Sequence, residues 1–203
     1  MAGPHENLEH AEHAEHASHG GNKKIALLIS VLALFLAFSE TLGKSAQTAA
    51  IADNIKASDT WNFFQAKTIR QTGLRTAADA LAVQAPTLTS DEAKAAYAKQ
   101  IEAWRATAAR YESDPKEKDG RKELRALAEK YEHDRDTRLA RYHQYEFASA
   151  AFQIGIVLAS AEVITSMVVL GWLAAISGVF GLGFMGLGLW APHALDFLMH
   201  AAH

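Results

Sequence analysis

The chain has 203 residues, of which 49% are hydrophobic and 21% are charged, and its formal net charge is −3. A nearly neutral chain offers no broad electrostatic basis for binding nucleic acid. The absence of cysteine excludes disulfides, CxxC motifs and thiol nucleophiles. Only four prolines and an abundance of Ala, Leu, Lys and Glu favour an all-α protein.

Residues 1–22 form a polar tail with a repeated Glu-His-Ala unit. Its histidines recur at every third position: His10, His13, His16 and His19. Imidazoles at this spacing can share a helical face in pairs and, with the neighbouring glutamates, could bind a divalent metal such as Zn²⁺, Ni²⁺ or Cu²⁺. The alternative is a polar tail that contacts lipid headgroups or solvent and holds no cofactor.

Lys23 and Lys24 precede an apolar run that extends to Leu42. The start of the run resembles the h-region of a signal peptide, but the full run is long enough to cross a bilayer. We therefore predict transmembrane helix 1 over residues 23–43. Glu40 would then lie near the far interface, where a carboxylate costs little free energy.

Residues 44–146 are predicted to form a helical or coiled-coil stalk. Its first helix should continue out of the membrane until Pro86, with a packing face of apolar residues at roughly heptad-like spacing: Ile51, Ile55, Phe63, Ile69, Leu74, Ala77 and Leu81. Ser90 lies in a predicted N-cap region, and Asp114-Pro115 is a typical helix start. From there a charged third helix should run past Tyr145 into the membrane, burying Leu124, Leu127, Tyr131, Leu139 and Tyr142.

Residues 147–190 contain one formally charged residue, Glu162, and are long enough for two spans. A turn at residues 162–166 would give spans over 147–161 and 167–190, whereas a second possibility places the turn near Gly171-Trp172. We prefer the first turn, because it puts Glu162 at an interface. Residues 191–203 are predicted to form an amphipathic tail, or alternatively the frayed end of the last span.

Small residues in this block predict close helix packing within the chain and between chains, at Gly171, Gly178, Gly181, Gly183 and Gly186. A homo-oligomer is therefore expected. An intramembrane carboxylate, Glu162 or Glu40, is a candidate ion site. The alternative for Glu162 is an interfacial residue in the turn.

The His/Glu-rich N-terminus and the stretch from Trp61 to Arg70 (Trp-Asn-Phe-Phe-Gln-Ala-Lys-Thr-Ile-Arg) resemble a bacterial family of small multi-pass helical membrane proteins catalogued as a domain of unknown function. The resemblance implies a bacterial membrane protein with no assigned reaction. Five residues of this stretch could form an interaction patch: Trp61, Phe64, Gln65, Lys67 and Arg70. The alternative is that the aromatic rings pack inside the stalk and the polar groups pair with the third helix.

Together these patterns predict an all-α membrane protein with three transmembrane helices and an extended helical stalk between spans 1 and 2. No catalytic motif is present, so we expect a non-enzymatic, homo-oligomeric scaffold whose partners are lipids and another membrane protein. The alternatives are an ion channel or transport subunit, and a metal sensor. We expect the bacterial inner membrane, and Arg135, Arg138 and Arg141 before the second span favour a cytoplasmic stalk and an exported His/Glu tail.

Overall fold

The computed structural model describes residues 23–194, and within this range the chain forms four α-helices and no strand. Helix α1 is Lys23–Gln84, and a short 3₁₀ helix, Ala85–Thr87, follows it. Helix α2 is Asp91–Glu112, α3 is Arg121–Thr165 and α4 is Val168–Trp190. The predicted all-α class is confirmed, and three helices, the first, third and fourth, are long and apolar enough to cross a membrane. The predicted metal-binding histidines and residues 195–203 lie outside the described range.

The helix ends follow the local sequence at two of the predicted boundaries. Pro86 lies in the 3₁₀ turn that ends α1, because its ring cannot continue an α-helix. Ser90 is the N-cap of α2, and its side chain accepts a hydrogen bond from the Ala93 backbone N–H at 3.3 Å.

The predicted start of the third helix at Asp114-Pro115 is wrong. Asp114 Oδ1 does accept from the Glu117 N–H at 3.2 Å, but it caps a single turn that ends at Lys118, where φ is +56°. Helix α3 begins seven residues later, at Arg121, after a loop that folds back onto Glu123. That carboxylate accepts from the Ser113 hydroxyl at 2.6 Å and the Asp114 N–H at 3.2 Å.

The turn between α3 and α4 lies at Ser166-Met167, so the first of the two predicted turns agrees with the structure. Ser166 adopts φ +57°, and its N–H bonds to the Glu162 carbonyl at 2.8 Å. This is the left-handed C-terminal cap of a helix, here built on a serine instead of the usual glycine. Glu162 itself lies in the last turn of α3 and is 5% exposed.

The described residues separate into two compact units. The first unit comprises residues 23–50 and 136–194, and the second unit comprises Ile51–Arg135. The first unit is built from the N-terminal part of α1, the C-terminal part of α3 and all of α4. Its core is apolar: Ile29, Leu32, Leu36, Ala148, Phe152, Ile156, Ala159 and Ala174.

Small residues fix the contacts inside the first unit. The Ser39 hydroxyl donates to the Tyr145 carbonyl at 2.9 Å, and the Ser177 hydroxyl donates to the Ala151 carbonyl at 2.7 Å. These bonds tie α1 and α4 to α3 at positions where a larger side chain would hold the helices apart. With Leu32 packed beside Gly155, they show that α1 runs antiparallel to α3.

In the second unit the predicted packing face of α1 is wrong in large part. Ile51, Ile55, Phe63 and Ile69 are 43–73% exposed. The residues that α1 buries here are chiefly small or polar: Asp53, Ala57, Lys67, Gln71 and Ala78. On α3, Leu124 is buried as expected, but Leu127 is 38% exposed, and Leu139, in the first unit, is 36% exposed. The polar groups inside the second unit therefore replace the expected apolar stripe.

Candidate functional site

A buried ion pair lies inside the second unit. The Lys67 ammonium is 2.7 Å from Asp119 Oδ2, and the Lys67 side chain is 6% exposed whereas that of Asp119 is 42% exposed. The same ammonium lies 5.3 Å from the ring centres of Phe63 and Tyr111. Aromatic faces attract a cation, so the pocket compensates part of the cost of removing this charge from water.

Arg121 connects all three helices of the second unit. Its guanidinium donates to Thr68 Oγ1 at 2.9 Å, to Gln71 Oε1 at 2.6 Å and to Glu112 Oε2 at 2.8 Å. It also lies 5.0 Å from the ring centre of Phe64. Gln71, which is 1% exposed, completes the group by donating to Glu112 at 2.8 Å. We call Thr68, Gln71, Glu112 and Arg121 the Arg121 cluster.

Two carboxyl groups of this unit are held in the ionised form. A hydrogen bond from Gln71 lowers the pKa of Glu112 below its usual value, against a smaller opposing effect of desolvation, and the charges of Arg121 and Arg75 lower it further. The hydroxyl of Ser113 lowers the pKa of Glu123. Each carboxylate therefore stabilises the folded state more when it is charged.

Acid is expected to weaken the second unit. Because the folded-state pKa of Glu112 lies below the ordinary 4.5, its contribution is complete above about pH 4.5 and is lost as the pH falls through the lower folded-state value. Glu112→Gln should lower the urea midpoint of unfolding at about pH 7 and reduce the fall of that midpoint between about pH 6 and pH 3. The control is Glu129→Gln, on an exposed position of α3. If both variants kept the wild-type acid sensitivity, the Arg121 cluster would not be its source.

The predicted interaction patch is divided by the fold. Trp61 donates to Glu132 Oε1 at 2.9 Å and contacts Phe64 edge-on, with ring centres 5.4 Å apart. Lys67 is buried in the ion pair with Asp119. Only Gln65 and Arg70 of the five are exposed. Trp61, Phe64 and Lys67 thus make contacts inside the second unit, which is the alternative in which the aromatic rings pack inside the stalk. The helical spacing of the aromatic residues was the sequence signal for this packing.

The outward side of α1 in the second unit carries large apolar residues. Ile51, Ile55, Ile69 and Val83 are 57%, 55%, 73% and 78% exposed. Successive residues turn by about 100° around a helix, so these four lie within one side of α1. We call this side the outer face of α1. Sequence reasoning found three of these residues but assigned them to the interior.

In the first unit, Glu162 is the residue that stands out. Its Oε2 atom is buried and has no hydrogen-bond partner within the described chain. The carboxylate lies against Gly171 of α4 and occupies the space that a Cβ at that position would need. Near the first turn of α4 a negative charge is favoured, because the N–H groups of that turn give the helix end a positive partial charge.

The structure does not bring the two candidate ion-site carboxylates together. Glu40 follows Ser39, which contacts Tyr145, whereas Glu162 lies 17 residues further along α3. At 1.5 Å per residue this separation is roughly 25 Å. An ion site that used both groups at once is therefore excluded in the described fold.

Three of the five glycines predicted to form an oligomer contact pack against side chains of their own chain. Gly171 packs on Glu162, Gly178 on Leu32 and Gly181 on Phe152. Gly183 has open space beside it and Gly186 meets only Trp190 of its own helix. Packing between chains stays a prediction for the last two alone.

Other features of the described residues offer little chemistry. No group of three His, Asp or Glu side chains in residues 23–194 could hold a metal ion. An open groove of about 550 Å³ between α1 and α2 is lined chiefly by alanines, with Lys94, Glu102 and Arg105 at its edge. Arg105 is paired with Asp79 at 3.2 Å. The groove presents an apolar contact surface more than a set of reactive groups.

Comparison with known proteins places the chain in a family. No curated protein and no solved structure matches it. Residues 21–191 match a family described as Domain of unknown function (DUF4337), which covers every helix of the fold described above. The resemblance in the stretch from Trp61 to Arg70 is therefore part of a match over most of the sequence, and the chain belongs to the DUF4337 family.

Proposed function

We propose that this protein is a three-span protein of the bacterial inner membrane and acts as a non-enzymatic, homo-oligomeric scaffold. The observation that carries the proposal is the distribution of apolar side chains in the first unit. Leu27, Val157, Trp172, Val179 and Phe180 are 62–70% exposed. The interior of the same unit contains Ala, Gly and Ser at its closest helix contacts.

A surface of this kind is unfavourable in water. Exposed apolar area costs roughly 25 cal/mol per Å², and monomeric soluble proteins rarely expose continuous apolar patches above a few hundred Å². In a bilayer the same side chains contact lipid tails at no such cost, and close packing of small residues becomes the principal attraction between helices. The exposed apolar surface of the first unit is therefore more favourable in contact with lipid than with water.

The charges that flank the spans favour one orientation. The antiparallel packing of α1 and α3 puts Lys44, Arg138 and Arg141 near one end of the first unit, and Lys23 and Lys24 near the other. No Lys or Arg occurs after Arg141. Since basic residues are retained on the cytoplasmic side, we assign the end that contains Arg141, and the residues of the second unit, to the cytoplasm.

Self-assembly is supported by the outer face of α1. Three isoleucines and a valine on this face are 55–78% exposed among the residues that the structure describes. Native mass spectrometry of the protein in polymer-bounded lipid discs tests the assembly. A single stoichiometry of two or more copies supports the scaffold, whereas a monomer, or a mass explained only by other polypeptides, would overturn it.

A second candidate function, an ion channel or transport subunit, is favoured by one observation. Glu162 is 5% exposed, and a buried carboxylate oxygen without a hydrogen-bond partner can bind a cation. Its test is ion flux into liposomes that contain the wild type or Glu162→Gln. Glu40→Gln is tested beside it, since Glu40 is the other candidate carboxylate and lies at the other end of the unit. Flux that is lost with Glu162→Gln supports this function, whereas no flux in the wild type, or an unchanged flux in both variants, rejects it.

A further inference from the structure

The outer face of α1 has a seven-residue repeat. Five exposed positions follow one another at intervals of seven: Ile55, Asn62, Ile69, Thr76 and Val83. A second exposed column lies three residues after the first three of these positions and begins one step earlier: Ile51, Ser58, Gln65 and Thr72. The next position of this column is Asp79, which is exposed and paired with Arg105 of α2 at 3.2 Å, and the repeat of uncharged residues ends before it. These two columns have the a and d spacing of a coiled coil. We call the nine residues the outer seam.

The residue types in the first column fit a two-stranded parallel coil. Four of its five members are β-branched, and the fifth is Asn62. β-branched residues are typical of the a positions of parallel pairs, in which Leu usually occupies d, and a single asparagine at a fixes register and copy number at some cost in stability. In the outer seam the second column contains Ile51 and three polar residues instead of Leu. Alongside, Ala66, Gly73 and Ala80 occupy the next position around the helix, and a Cβ at Gly73 would meet nothing within 4 Å. A second helix can therefore approach closely.

The charges on and beside the outer seam are compatible with an identical occupant. None of its nine residues is ionisable, and Asp79, the next position of the second column, is paired with Arg105 at 3.2 Å, so two copies of the seam can meet without an unpaired like charge. Copies anchored in one bilayer share the same orientation, which is the parallel arrangement that the first column favours. We infer that the outer seam pairs in parallel and in register with the same seam of a second copy.

The size of the seam shows why the membrane matters. Its length from Ile51 to Val83 is about 48 Å at 1.5 Å per residue, and with a helix about 10 Å wide it offers roughly 500 Å² per copy. A standard stable interface buries about 800 Å² per partner. The seam alone is therefore too small for a stable dimer in dilute solution. Anchoring in one membrane raises the effective concentration of a second copy and favours pairing there.

The test uses the absence of cysteine from the chain, since any single cysteine is then the only thiol. Asn62→Cys, Ile69→Cys and Thr76→Cys are oxidised in isolated membranes, with Phe63→Cys and Arg70→Cys as controls. The controls are exposed neighbours turned by about 100° from the seam. Disulfides need Cα atoms within about 7 Å, so we expect roughly tenfold more covalent dimer from residue 69 than from residue 70.

This inference rests on the proposed self-assembly, and the two can fail separately. Dimers at 62, 69 and 76 and few at 63 and 70 support the seam. Equal yields at all five positions, or none at the seam while the wild type remains oligomeric in lipid discs, would overturn the seam and leave the scaffold. A monomeric wild type would overturn both.

Ile69→Lys provides a second test of the seam. A charge on the seam should reduce the amount of covalent dimer that Thr76→Cys forms in the same chain, and an unchanged yield would contradict pairing there.

Discussion

Asp119→Ala is expected to destabilise the second unit by roughly 2–3 kcal/mol. The substitution leaves the Lys67 ammonium, whose side chain is 6% exposed, without its counter-charge. Breaking a buried ion pair from one side costs about 3–5 kcal/mol, and the 42% exposure of Asp119 reduces that figure. Urea unfolding of the full chain in mild detergent, followed by tryptophan fluorescence, measures the change in a Trp172→Phe/Trp190→Phe background, in which the remaining tryptophans, Trp61 and Trp104, both lie in the second unit.

The reverse substitution provides the control. Lys67→Met keeps most of the aliphatic volume beside Phe63 and Tyr111 and leaves behind a carboxylate that water already reaches, so about 1 kcal/mol should be lost. Combining it with Asp119→Ala should recover most of the stability lost in Asp119→Ala alone, because no buried charge remains. Equal losses for the two single variants, or a fully additive double variant, would contradict an uncompensated buried ammonium as the cause.

Gly181→Ala is expected to destabilise the first unit by about 1–3 kcal/mol, the usual cost of overpacking a core. A Cβ at this position would lie 2.6–2.8 Å from three ring atoms of Phe152, and that ring is fully buried against Phe35. Because the ring has no free space to enter, the backbones of α3 and α4 must separate. Thermal unfolding in mild detergent is the measurement.

Gly183→Ala is the matched control for this contact. It lies two residues along the same helix, and a Cβ there meets nothing within 4 Å. The alanine should cost no stability within a single chain, since Ala also has the higher helix propensity. If Gly183→Ala were as destabilising as Gly181→Ala, the loss would arise from contacts between chains or with lipid, and not from Phe152.

The local signals in the sequence predicted most of the helices. Proline positions, capping residues and apolar runs predicted four features correctly: continuous helix from Lys23 past residue 80, the interruption at Pro86, the cap at Ser90 and uninterrupted helix through Phe147. Each depends on residues close together in the chain. The three apolar segments were also identifiable, because length and composition alone define them.

The inner side of α1 could not be predicted in this way. Lys67 and Gln71 can be buried because Asp119 and Glu112 pair with them. These partners lie 41–52 residues further along the chain. The spacing of apolar residues assigns those residues to the interior. It contains no information about polar partners that are distant in the sequence. The isoleucines were therefore placed inside, although the structure leaves them on the outer face.

Two turns were marked poorly by the local sequence, although the position of the one between α3 and α4 was predicted correctly. Ser166 ends α3 in the left-handed region without glycine or proline, so the turn carried no strong local signal. Asp114-Pro115 carried a strong signal but caps only one turn. The Glu123 carboxylate accepts hydrogen bonds from the Ser113 hydroxyl and the Asp114 N–H. These bonds hold the chain in a loop at the point where the longer helix was expected to begin.

The central claim is that the exposed apolar side chains of the first unit contact lipid. Single cysteines at Val157 and Ile176, which are 63% and 50% exposed, can be compared with one at Lys99 on the surface of α2. In sonicated membranes a water-soluble maleimide should label Lys99→Cys and leave Val157→Cys and Ile176→Cys unmodified, whereas all three should react after SDS is added. Labelling of all three in membranes at equal rates would contradict membrane insertion and, with it, the proposed scaffold.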